Sequence, residues 1–214
     1  MHQTVKNLIS IKKELELISD KIPSIIAVSK TFPVSNILPL IEYGHMHFGE
    51  NKVQEALEKW KNIKEQFSQI KLHMVGKLQT NKVKFALPLF DFIHSLDNEK
   101  LAKKIASEQT KYVKKPKIFI QVNIGDENQK SGIDKNDLKN FYNYCNELNL
   151  DIIGLMCIPP VDVKTDVFFK EMSFLKNNLS LPDLSMGMSS DYLDATKNFS
   201  TYIRIGSKIF GKRS

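Results

Sequence analysis

Lys30 follows directly on the apolar run Ile25-Ile26-Ala27-Val28-Ser29, so its stem is expected at the end of a buried strand rather than on an outer helix. Burial penalises the charged ammonium and lowers its pKa. The neutral amine can then attack a carbonyl carbon and form an imine. For most other lysines of the chain a solvated surface side chain is the expected state.

Two turns near the C-terminal end resemble anion sites. Met186-Gly187-Met188-Ser189-Ser190-Asp191 leads into one helix, and Ile205-Gly206-Ser207 opens a short second one over 207–210. Helix N-termini offer free N–H groups and a positive dipole end, and glycine permits close approach of a phosphate. Arg204, one of two arginines, lies inside the last apolar strand. A buried arginine needs a partner. A structural ion pair with an Asp or Glu is one reading, and a place in the ligand site is the other.

The other candidate groups point to simpler roles. His2, His45, His47 and His94 show no metal spacing, and no metal site is expected. His73 reads as a hydrogen-bonded core histidine, with a place at the rim as the alternative. Cys145 and Cys157 make neither a disulfide framework nor a ligand set, and read as small buried hydrophobes. Gln129-Lys130-Ser131-Gly132 reads as a lid or an exposed turn.

Positioning these residues falls to a recurring unit of short apolar strand, polar turn and amphipathic helix, the signature of a parallel sheet with crossover helices. Strands are expected at 24–28, 47–49, 72–75, 92–95, 118–122, 152–158, 184–186 and 202–205. A first helix is expected over 4–19, another over 35–43 closed by Gly44, and one carrying Val53, Ala56, Leu57, Trp60 and Ile63. Later ones are expected near 81–87 and over 99–112, then after an N-cap at Asp134. A further helix would place Phe168, Met172, Leu175 and Leu179 on one face. Eight such units predict a single α/β domain over 1–214, a TIM-type (β/α)8 barrel with no second β domain. The turn after the first strand, Ser29-Lys30-Thr31-Phe32-Pro33, has no glycine, which disfavours an open doubly wound sheet. In a barrel the strand C-termini share one rim. That rim would gather Lys30, Asn51, Gly76, Asn123, Met156, Ser189, Arg204, Gly206 and Ser207.

Composition agrees with a folded protein: 42% hydrophobic and 26% charged residues. No apolar run approaches the roughly 18 residues of a membrane span. The charged, amphipathic N-terminus does not read as a secretory signal, so a cytoplasmic location is expected. The net charge of +7 comes from lysines spread along the chain, which does not single out a nucleic-acid surface.

AVSKTFP at 27–33, HFGENKVQEALEKW at 47–60, HMVGKLQTNK at 73–82 and VNIGDENQKSGI at 122–133 resemble motifs of the pyridoxal phosphate homeostasis proteins, the YggS-like group. GLMCIP at 154–159, LSMGMSSD at 184–191 and RIGSKIFG at 204–211 continue the resemblance over nearly the whole chain. It implies a barrel like the N-terminal domain of alanine racemase, with pyridoxal 5′-phosphate (PLP) as cofactor and Lys30 as the Schiff-base lysine. It implies Asn51 near the phenolic oxygen, Ser189, Gly206 and Ser207 on the phosphate, and Arg204 facing the pyridine nitrogen. Met156 is carried in the same cofactor-binding set. Where this chain has Ser207 the family often has Thr, which keeps the hydroxyl. After Gly211 the chain reads Lys212-Arg213-Ser214, so no longer family tail is expected.

An arginine cannot give up its proton, so Arg204 would keep the ring nitrogen unprotonated and the ring a poor electron sink. Binding and delivery of PLP to apoenzymes are therefore expected, rather than strong turnover and with no catalytic residue assigned; a monomer is expected because a barrel without the racemase-type second domain lacks one dimer surface. The rivals are a PLP-dependent amino-acid racemase, which needs a second base opposite Lys30, and a cofactor-free Schiff-base aldolase. A basic nucleic-acid-binding protein, its affinity falling steeply with salt, is the rival of another class.

Overall fold

In the computed structural model, which describes residues 1–127, 131–161 and 163–211, eight parallel strands close into a barrel in sequence order. The strands are β1 (Ser24–Val28), β2 (His47–Glu50), β3 (Lys71–Met74), β4 (Phe92–Leu96), β5 (Lys117–Val122), β6 (Ile152–Cys157), β7 (Asp183–Ser185) and β8 (Tyr202–Ile205). The helices are α1 (Gln3–Glu16), α2 (Val34–Glu42), α3 (Val53–Gln66), α4 (Val83–Ala86), α5 (Glu99–Gln109), α6 (Leu138–Glu147), α7 (Asp166–Asn178), α8 (Tyr192–Lys197) and α9 (Ser207–Phe210). A 3-10 turn, Thr80–Lys82, leads into α4. Closure is by β8 on β1, with Ser24 opposite Tyr202 and Ala27 opposite Ile205. A closed barrel leaves no strand edge unpaired.

Buried side chains form two separate regions. The larger lies between strands and helices, with Ile37, Leu40, Phe48, Trp60, Leu72, Ile93, Ile105 and Phe169 among its members. The smaller fills the lumen, where Phe92, Phe119 and Met156 pack with Ile153 and Tyr202. TIM-type lumens are dominated by Val, Ile and Leu. This one is aromatic and polar: His73 stacks on Phe92 with centroids 4.2 Å apart and His94 on Phe119 at 4.4 Å.

Two local expectations need correction. Helix α6 begins at Leu138, and Asp134 caps a turn instead, its Oδ1 accepting from Asn136 N. Short polar side chains bond readily to nearby backbone outside helices, so an aspartate before a helix need not be its cap. In α7 the expected face holds: Met172 is buried and Phe168, Leu175 and Leu179 pack against the core, with Phe169 fully buried beside them. Helix α1 stops at Glu16, with Leu17 exposed.

Candidate functional site

The strand C-termini converge around a cavity of about 440 Å³. Its walls include Lys30 after β1, Asn51 after β2, Ser189 and Ser190 after β7, Arg204 on β8, Gly206 at the N-cap of α9 and Ser207 at its first residue. Six of the seven residues expected to hold the cofactor thus share one cavity, and Met156 does not. Met156 is fully buried in the lumen against Phe92 and Phe119. Phe32, Val75, Ile158 and Gly211 also line the cavity; apolar wall residues carry no sequence signal that separates them from core. Gln129 and Lys130 of the expected lid lie outside the described residues.

Helix α3 fixes the backbone on both sides of Lys30. Lys59 Nζ donates to Ser29 O at 2.9 Å, and the Ser29 hydroxyl donates to Glu50 Oε1 at 2.7 Å. Glu50, fully buried, also accepts from Lys59 Nζ and from Trp60 Nε1, each at 2.9 Å. On the other side Thr31 N donates to Glu55 Oε1 at 2.6 Å, and Thr31 itself takes φ +68°. That left-handed turn swings the chain away from the strand and leaves Lys30 on the rim. Glu50 therefore faces α3 rather than the cavity.

Asn51 is seated by the neighbouring strand. A Cβ at Gly76 would lie 2.4 Å from Asn51 O, so only glycine allows this approach. The turn between β7 and α8 is fixed in the same way. Gly187 has φ +91°, and a Cβ there would meet Ala195 Cβ at 2.5 Å. Asp191 Oδ1 accepts from Met188 N at 2.6 Å, and Arg204 N donates to Gly187 O. Burial holds the Asp191 carboxyl above its ordinary range, against the Met188 N–H and the Arg204 charge.

Arg204 is 5% exposed. Its Nη1 donates to Ser185 O at 2.7 Å and to Ser185 Oγ at 2.8 Å, and its Nη2 to Cys157 O at 2.8 Å. Among the described residues no carboxylate forms an ion pair with it, and its guanidinium is met by these neutral acceptors. His73, fully buried, is a hydrogen-bonded core residue. Its neighbours His47 and His94 belong to the same network, a role that a search for metal spacing cannot find. Both cysteines are buried, and burial pushes each thiol up to about 12.

A family model described as the alanine racemase N-terminal domain matches residues 7–214. The pyridoxal phosphate homeostasis protein of Aquifex aeolicus is 37% identical over 199 residues, covering 88% of this chain and 86% of that protein. Its Escherichia coli counterpart is 34% identical over 200 residues, covering 89% and 86%. PipY of Synechococcus elongatus, solved with PLP bound, superposes with a TM-score of 0.89 at 32% identity, over 98% of this chain and 100% of that one. An alanine racemase of Clostridium difficile, at 14% identity and a TM-score of 0.76 over 57% of its length, shares the barrel fold.

Proposed function

The chain belongs to the alanine racemase N-terminal-domain family and, within it, to the pyridoxal phosphate homeostasis proteins; on that premise we propose that it binds PLP in the barrel mouth, as a Schiff base on Lys30, and serves PLP homeostasis in the cytoplasm. The observation that carries this reading is the donor set of one cavity. An amine, an amide, a guanidinium and three serine hydroxyls surround it, with no carboxylate among its described lining residues. That set suits a ligand with an aldehyde, an acidic hydroxyl and a phosphate dianion.

When bound, PLP supplies an aldehyde that an amine captures as a Schiff base with loss of one water, and a pyridine ring that can accept electron density. Lys30 provides the amine, on a backbone clamped by Lys59, Glu50 and Glu55. Ser189, Gly206 and Ser207 provide the phosphate cradle. Asn51 orients the ring through its amide. Arg204 presents N–H donors that it cannot relinquish, so it satisfies a ring nitrogen without protonating it. No tyrosine, histidine or cysteine is among the described cavity residues to oppose Lys30 as a second base. That supports holding and delivering the cofactor over racemisation.

The test is chemical. Protein incubated with PLP should show an imine absorption band that borohydride bleaches, leaving the cofactor's mass on the peptide containing Lys30. Lys30→Ala should stay colourless. A saturated wild-type preparation with no adduct at Lys30 would overturn the reading. Steady, Lys30-dependent racemisation of L-alanine or L-serine would replace the carrier with an enzyme.

A further inference from the structure

Three histidines, a serine and Arg204 form one hydrogen-bonded line through the lumen. His47 Nδ1 lies 2.9 Å from His73 Nε2, His73 Nδ1 lies 2.9 Å from His94 Nε2, and His94 Nδ1 lies 2.9 Å from Ser185 Oγ. Arg204 Nη1 donates to that same oxygen. Strand register builds the line. Gly49 is level with His73, and His73 is level with Phe92. Each histidine thus stands two residues higher on its strand than the one before, which is one step on the inward face.

The chemistry of the end group sets the direction of every proton. Arg204 only donates, so Ser185 Oγ accepts from it and sends its own hydrogen to His94 Nδ1. His94 then carries its proton on Nε2 and donates to His73 Nδ1, and His73 likewise donates from Nε2 to His47 Nδ1. In the opposite sense Ser185 Oγ would accept twice, and its hydroxyl hydrogen would have no acceptor within its two bonds. A charged imidazole, with two donors and no acceptor, would break a link. The surroundings agree. Burial holds His73 and His94 well below the ordinary histidine range; a proton on His73 would also be opposed by one on a neighbouring histidine and by Lys64, and a proton on His94 by Arg204. Burial and then Lys71 lower His47, against Asp91.

We propose that His47, His73 and His94 are positioning residues that act through Ser185 on Arg204. They form a neutral line of imidazoles, all acceptor nitrogens toward the mouth, which holds the guanidinium at the cavity floor. The inference rests on the reading of that cavity as the PLP site. A carboxylate would satisfy the same N–H groups but would also cancel the charge of Arg204. Neutral acceptors satisfy them and leave the full positive charge to the ligand's ring nitrogen.

Histidine nitrogen NMR on the cofactor-free chain reads the line directly. All three rings should be neutral and protonated on Nε2 at pH 7; a Nδ1–H tautomer or an imidazolium at His73 or His94 would overturn the proposal. In the loaded protein, Ser185→Ala should still give a borohydride-fixed adduct on Lys30. Its absorption maximum should shift, and the cofactor dissociation constant should rise about tenfold, the scale of one lost charge-assisted hydrogen bond. His94→Phe, which keeps the stack on Phe119, should reproduce that shift. If it fails to fold, Ser185→Ala decides alone: an unchanged maximum and affinity there mean that the line only packs. Absence of any wild-type adduct strikes the PLP reading instead, because the tautomers are measured without cofactor.

Discussion

Outside the sheet, under the helices, the buried residues are mainly Ile, Leu, Val and Phe around Trp60; inside it they include His73, His94, Phe92, Phe119, Met156, Ser185 and Arg204. The outer layer is held by burial of area, which has no direction and tolerates many arrangements of the same volume. The inner layer is held by bonds that close in one arrangement only. Stability should therefore reside mostly in the outer layer, and the placement of the ligand's partners in the inner one.

Acid should expose this contrast most strongly. Burial lowers His47, His73 and His94, and takes His45 to about 4 from the ordinary 6.5. The unfolded chain therefore binds more protons than the folded one as pH falls through 6.5. The contribution is fully present above that value and is lost downward, at roughly 1.4 kcal/mol per pH unit for each histidine. Denaturant unfolding at pH 7, 6 and 5 should show this slope, reduced by one proton in His73→Phe. A flat profile would mean that the lumen is not neutral. Next in size, Trp60→Ala should cost about 3–5 kcal/mol in the same assay, since it empties the outer core and removes a donor to Glu50. A loss below about 1 kcal/mol would erase the difference between the layers. Smallest is Lys103→Ala at the exposed pair with Glu99, where the unfolding midpoint should correspond to a change within about 0.5 kcal/mol.

The outer layer was legible because it repeats. The spacing Val53, Ala56, Trp60, Ile63 and the run Ser24–Val28 announce a helix and a strand directly. Lys30, Asn51 and Ser189 could be placed at one rim because strand ends in a barrel share a face. The histidine line could not be read this way. His47, His73 and His94 lie 26 and 21 residues apart, and only the stagger between strands brings them into a row. Met156 shows the complementary case: it lies on a rim strand, but packs in the lumen against Phe92 and Phe119. The clamp from α3 to Ser29 and Thr31 depends on side chains reaching between elements, which periodicity does not encode.

The stacked rings of His73 and Phe92, with Tyr202 beside them, plug the barrel from one end. Among the described residues the cavity lies on the opposite side, where the strands finish. For the cofactor proposed above, arrival and departure would then share that threshold.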